Sequence, residues 1–172
     1  MIQELDCFKA YDIRGRVPEQ LNADIAYRIG RAFAAHLKPK RVVVGFDIRL
    51  TSQELCAALS RGLTEGGADV TNIGQCGTEE IYFATSHLGY EGGIMVTASH
   101  NPADYNGMKF VREGSLPVSA DTGLLAIKEL AEKNDFAEPA MQGCIDFADL
   151  RGAYLAKLLS FVDVDKLKPL KI

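Results

Sequence analysis

The sequence predicts an α/β fold: a three-layer α/β/α sandwich around a mixed, mainly parallel sheet of about four strands. Two observations carry this. Short apolar or β-branched runs alternate with longer stretches of helical periodicity. Only Asn101 to Gly107 separates the last two runs, too short a link for a crossover helix, so those two strands are expected to be antiparallel neighbours.

The elements follow in order. Asn22 can cap a helix running to about Leu37, with Ile25, Ile29, Ala32, Phe33 and Leu37 on one stripe and Pro39 closing it. Arg41 to Phe46 is a short β-branched run and reads as the first strand. Thr51-Ser52-Gln53-Glu54 fits a capping box, and its helix should run to Gly66-Gly67. Ala68 to Ile73 reads as the second strand. Thr78 is expected to cap a third helix that lasts to about His87. Gly93 to Thr97 and Met108 to Val111 are the last two predicted strands. Two further helices are expected over about 120–133 and 147–161, with Glu138-Pro139 and Gly143 in the loop between them.

Composition bounds the function. The chain has 172 residues, enough for one domain with its own core. A net charge of −4 provides no basic field for a nucleic-acid backbone. No apolar stretch is long enough to span a bilayer, and the first six residues lack the basic start and apolar run of a signal peptide. Cys7, Cys56, Cys76 and Cys144 are scattered, with no CxxC pair and no metal-ligand spacing, so free thiols in a reducing cytoplasm are expected. Leu167 to Ile172 reads as a chain entering a new strand. The expected organisation is therefore one domain over 1–165, with 166–172 as the linker or first strand of a truncated second domain.

The chemistry concentrates in Thr97-Ala98-Ser99-His100-Asn101-Pro102, which follows the apolar run Ile94-Met95-Val96. Strand ends of this sort face the ligand crevice in open α/β sheets. Ser99 is a nucleophile candidate, but the G-x-S-x-G elbow of acyl-transfer serines is absent. On extended backbone, adjacent side chains point to opposite faces, so no direct hydrogen bond between Ser99 and His100 is expected unless the turn bends sharply. From spacing alone, Ser99 capping a turn before an Asn101-Pro102 loop is the more ordinary reading. Other segments weigh against it. Tyr11-Asp12-Ile13-Arg14-Gly15 and Gly45-Phe46-Asp47-Ile48-Arg49 each place an arginine outside the periodic elements, and Lys109 follows the serine loop. Three cations that converge on a serine suit an anionic substrate. A non-catalytic anion-binding domain remains open on this reading.

These residues carry a resemblance. Phe8 to Gly15, Gly45-x-Asp47-x-Arg49, and Thr97-Ala98-Ser99-His100-Asn101-Pro102-x-x-Tyr105-Asn106-Gly107-x-Lys109 resemble the N-terminal domain of the α-D-phosphohexomutases. Within that family they are most similar to the bacterial phosphomannomutase branch, including its bifunctional phosphomannomutase/phosphoglucomutase type. The phosphoglucosamine mutase branch opens on a Gly-Thr-Asp-Gly-x-Arg-Gly pattern, where this chain has Ala10-Tyr11-Asp12-Ile13-Arg14-Gly15.

The resemblance implies a mutase that interconverts mannose 6-phosphate and mannose 1-phosphate, or the corresponding glucose phosphates, through a bisphosphorylated sugar. Ser99 would carry the phosphoryl group. Mg²⁺ would bind an oxygen of that phosphoserine, with its other ligands in a second domain. His100 would orient the serine loop, and Lys109 would help move the sugar hydroxyl's proton. Arg14 would support that step or hold substrate phosphate. Tyr11 and Asn101 would line the substrate pocket with Arg14 and Lys109, and Asp47 and Arg49 would brace the loop from behind. The family's metal-binding and sugar-recognition loops are absent from this stretch, so it is expected to fold without being a competent mutase alone.

Overall fold

The computed structural model describes residues 4–169 and 171. Its elements run β1 (Ile13–Arg16), α1 (Ala23–Leu37), β2 (Arg41–Phe46), α2 (Ser52–Glu65), β3 (Asp69–Gln75), α3 (Thr78–Leu88), β4 (Gly92–Val96), β5 (Tyr105–Arg112), β6 (Leu116–Pro117), α4 (Leu124–Lys133), β7 (Ile145–Phe147) and α5 (Arg151–Leu159). The sheet order is β1-β5-β4-β2-β3-β7, with β6 paired to β5. The expected three layers and mixed sheet are present, but the sheet has seven strands rather than about four. One half, β4-β2-β3-β7, is parallel. The other half, built on β5, is antiparallel, including the predicted β4–β5 pair.

The additional strands are short. β1, β6 and β7 contain four, two and three residues, and neither β6 nor β7 buries a side chain. They add pairing at the sheet margins without a periodic apolar signal. β7 also takes Phe147 out of the last predicted helix, which starts only at Arg151. The helix expected over 120–133 begins as a separate 3-10 turn over Ala120–Thr122. Of the strand start expected over 167–172, Leu167 to Pro169 are irregular, and Leu170 and Ile172 lie outside the described residues.

Each face of the sheet has its own core. Val42, Val44, Val70, Ile94, Val96, Met108 and Phe110 pack with the buried stripes of α1, α2 and α4. Val43 and Met95 point the other way, toward Ile81 and Ala84 of α3. This alternation is what the period-two geometry of a strand requires when both faces are covered.

Two helix starts differ from the sequence reading. Asn22 caps α1 as expected, its Oδ1 accepting from the Ile25 N–H at 3.0 Å. Thr51 makes no side-chain cap to α2. Its hydroxyl instead accepts from Asn106 Nδ2 at 2.9 Å, because β5 brings that amide alongside. Thr78 is the first residue of α3 rather than its cap. The carboxylate of Glu80 accepts from the Gly77 N–H at 2.7 Å and does the capping.

Candidate functional site

Parallel β2 and β4 are direct neighbours, with Phe46 opposite Val96 at their carboxyl ends. The chain leaves both strands at the same place, so Asp47–Arg49 and Thr97–Asn101 emerge side by side. The Asp47 N–H donates to the Val96 carbonyl at 3.0 Å and ties the two exits together. This is the crevice end of an open α/β sheet.

Asp47 organises the exit. Its Oδ1 accepts from the Ser52 hydroxyl at 2.6 Å and the Arg49 N–H at 3.0 Å. Its Oδ2 accepts from the Thr97 hydroxyl at 2.7 Å. Thr97 Oγ1 in turn accepts from the Ser99 N–H at 2.9 Å. Ser99 adopts a left-handed conformation with φ of 54°, which costs a non-glycine residue roughly 1–2 kcal/mol. The bond from its amide to Thr97 offsets part of that cost.

Arg49 holds the loop itself. Nη1 donates to the carbonyls of Pro102 (2.7 Å) and Tyr105 (2.8 Å). Nη2 donates to those of Ser99 (2.9 Å) and Asn101 (2.6 Å). Four backbone acceptors converge on one guanidinium, whose planar fork suits this geometry. The Asn101 amide nitrogen is also committed locally, donating to the Ala98 carbonyl at 2.8 Å. The left-handed turn brings His100 Nδ1 to 3.4 Å from Ser99 Oγ. This corrects the expectation from extended backbone: the two side chains share a side, at a distance too long for a strong bond. Both residues are exposed. Ser99 and Asn101, with Asp47, Ile48, Arg49, Leu50 and Ala103, line an open hollow.

A second cluster lies on the antiparallel half. Arg14 stands opposite Gly107 in the β1–β5 ladder, and Lys109 is two residues further along β5 on the same face. Both reach Asp12. Arg14 Nε and Nη2 lie 2.9 and 2.7 Å from Asp12 Oδ2, and Lys109 Nζ lies 3.3 Å from the same oxygen. Burial pushes the phenol of Tyr82 on α3 upward, and the negative charge of Asp12 pushes it further. Tyr11, just before β1, is 80% exposed. The clusters share the sheet end: the Gly107 carbonyl, opposite Arg14, accepts from the Thr97 N–H at 3.0 Å. Among the described residues no side-chain hydrogen bond joins them.

The sequence reading missed Asp12, Thr97, Ser52 and Asn106 as working side chains. The signal for Asp12 was its i,i+2 spacing to Arg14, which on a strand puts both on one face. Ser52 and Asn106 showed no such pattern, because only the fold brings β5 beside the start of α2.

Among the described residues no group of three or more His, Cys, Asp or Glu side chains is placed to hold a metal ion. The carboxylates nearest the crevice are already engaged, Asp47 by two hydroxyls and Asp12 by two cations. The residues present therefore do not fit a Mg²⁺ site by themselves.

The family model described as phosphoglucomutase/phosphomannomutase, alpha/beta/alpha domain I, matches residues 6–138. The chain belongs to this family and forms its domain I. A phosphomannomutase from Salmonella typhimurium is 58% identical over 171 residues, covering 98% of this chain and 38% of that protein. One from Escherichia coli is 56% identical over 173 residues, with 99% and 38% covered. One from Klebsiella pneumoniae is 62% identical over 144 residues, covering 83% of this chain and 92% of that sequence. The crystal structure of a phosphoglucomutase/phosphomannomutase family protein from Burkholderia thailandensis superposes with a TM-score of 0.84 at 34% identity, over 95% of this chain and 37% of that one. The chain thus spans about two-fifths of the length of the Salmonella and Escherichia coli relatives it matches. No described helix is long and apolar enough to cross a membrane.

Proposed function

We propose that this domain is the phosphoryl-carrying part of a phosphomannomutase that interconverts mannose 6-phosphate and mannose 1-phosphate. The observation that carries the reading is Ser99: an exposed hydroxyl on a left-handed turn, with four carbonyls of its loop gripped by Arg49. Phosphoryl transfer depends on positioning and on neutralising charge at the equatorial oxygens. A loop braced in this way fixes where the Ser99 backbone stands and leaves its hydroxyl exposed. Mannose rather than glucose is favoured by the names of the relatives, which are phosphomannomutases.

On this reading Ser99 Oγ gives its phosphoryl group to a hydroxyl of the sugar phosphate and takes another back from the bisphosphorylated sugar. A phosphoserine carries about −1.5 to −2 charge near neutral pH. Lys109 moves the proton of the attacking sugar hydroxyl, and Arg14 holds a substrate phosphate. His100 steadies the loop beside Ser99. Asn101 is left with its Oδ1 for substrate, since its amide nitrogen serves the turn. Tyr11 lines the approach. Asp47 and Arg49 act on the loop's backbone rather than on substrate. The Mg²⁺ that the resemblance implies would take its remaining ligands from outside this chain, and none of these steps passes through it.

Peptide mass spectrometry of protein purified from cells tests the first step, with one phosphate expected on Ser99. Phosphorus NMR of the longer protein that contains this domain tests the second. Conversion of mannose 1-phosphate to mannose 6-phosphate is expected, and S99A should abolish it. An S99A protein with wild-type turnover would end the proposal. Faster turnover of glucose 1-phosphate would move the reading to phosphoglucomutase.

A further inference from the structure

Asp12 is not among the residues to which the resemblance gives a role, yet it is the common partner of two that have one. Its side chain is only 7% exposed, and its charge reaches the Tyr82 phenol on α3. A carboxylate that deep is retained only with compensating charge. The compensation comes twice, from Arg14 and from Lys109, both on the same oxygen, Oδ2.

The two bonds are unequal. Arg14 brings two nitrogens, at 2.7 and 2.9 Å. Lys109 brings one, at 3.3 Å. A guanidinium that gives two donors to one carboxylate is fixed in direction, whereas a single long ammonium contact leaves a flexible stem free to swing. Both cations remain about one-third exposed, at 32% and 29%, so each has a side open to the crevice. The strand pairing explains why they meet. Ile13 pairs with Met108, so the antiparallel register continued by one residue sets Asp12 opposite Lys109, while Arg14 lies two residues from Asp12 on the same face.

We propose that Asp12 is a positioning residue that locks Arg14 as a fixed phosphate anchor and parks Lys109 for release to the hexose phosphate. The proposal rests on the mutase reading above for its substrate. Asp12 touches neither substrate nor the reacting atoms. It acts through the two cations, holding one rigidly and the other loosely. It also cancels one of their two positive charges in the empty site, so an incoming phosphate restores the balance when Lys109 leaves.

Asp12→Asn tests this, because it keeps the shape and removes the charge. The first measurement uses this chain without substrate. Competitive acylation of lysines, read by peptide mass spectrometry, compares Lys109 with Lys40. Labelling of Lys109 relative to Lys40 should rise several-fold in D12N. The second uses the longer protein. There D12N should lower kcat for mannose 1-phosphate by about a hundredfold, the scale of a misplaced catalytic group. D12N added to K109R should cost under a third of that, because the two act as a unit. A D12N protein with unchanged Lys109 labelling and kcat within twofold of wild type overturns the proposal, as does full additivity with K109R. If D12N does not fold, D12E decides by the same readouts, since it keeps the charge and displaces it by one methylene. If the wild-type protein turns over no hexose phosphate, the mutase reading fails, and the labelling decides the role of Asp12 alone.

Discussion

Arg49 and Ser99 meet through the backbone and not through the chemistry: Nη2 of Arg49 donates to the Ser99 carbonyl at 2.9 Å while the serine hydroxyl stays exposed. Arg49 is thus committed to loop carbonyls. On the proposed mutase reading, substrate charge falls to other cations, Arg14 and Lys109 on the antiparallel half, which keep 32% and 29% of their side chains exposed.

Replacing Arg49 should therefore loosen the loop more than it weakens phosphate binding. R49A removes the donor to four carbonyls, and charge-assisted bonds contribute about 1.5–3 kcal/mol each without adding fully. The expected loss is ~3 kcal/mol in urea unfolding, together with new proteolytic cleavage between Ser99 and Tyr105. R49K should recover less than half, since an ammonium has three donors and no planar fork.

Thr97 should matter through its hydroxyl. It donates to Asp47 and accepts from the Ser99 N–H, so it links the carboxylate to the strained turn. T97V keeps the volume and leaves Asp47 Oδ2 short of one donor, at a cost of roughly 1–3 kcal/mol. Amide hydrogen exchange at Ser99 should accelerate at least tenfold in T97V and stay near wild type in T97S. Unchanged exchange in T97V would remove Thr97 from the account of the turn.

Gly107 marks where β1 presses on β5. A Cβ there would lie 2.0 Å from the Ile13 carbonyl oxygen and 3.0 Å from that of Thr97, both backbone atoms with nowhere to go. G107A should cost ~3 kcal/mol or more by thermal unfolding, and it should also displace Arg14, which sits opposite in the ladder. An alanine protein that melts with the wild type would mean that β1 pairs less tightly than this geometry states.

The sequence made the central strands and the serine loop legible for a simple reason. Val42-Val43-Val44 and Ile94-Met95-Val96 are buried on both faces and so read as continuous apolar runs. β1 gave no such signal, because Ile13 and Gly15 are its only buried residues and the polar positions between and after them look like loop. The candidate residues were legible as types: Ser99, Arg14, Asp47, Arg49 and Lys109 all stand at one end of the sheet. Their division into two clusters was not, because it depends on which strands are neighbours. Asp12 went unread although its spacing to Arg14 is local, and only the β1–β5 pairing brings Lys109 to it. Thr51 shows the same limit from the other side. Its capping pattern was present, but an amide from β5 took the hydroxyl.

The cysteines give a test with a pH dependence. Burial pushes the Cys56 and Cys76 thiols up to about 12 and Cys7 to about 11, so their thiolates are scarce at pH 8. Cys144 is exposed, and it alone of the four should react quickly with a disulfide reagent in the native state. Its thiol is also held up, first by the hydrogen bond it gives Asp69 and further by the negative charges of Asp69 and Asp146. Asp69 is shifted the opposite way, held below the usual carboxylate value chiefly by the Cys144 N–H that it accepts at 2.9 Å. A carboxyl lowered in the folded state contributes stability above its unfolded value near 3.9 and loses it as pH falls through the folded value. D69N removes both effects together. It should speed Cys144 labelling at pH 8, where the freed thiol ionises more readily, and it should flatten the fall in stability below about pH 4. Slower labelling in D69N would show that Asp69 activates the thiol instead of suppressing its ionisation.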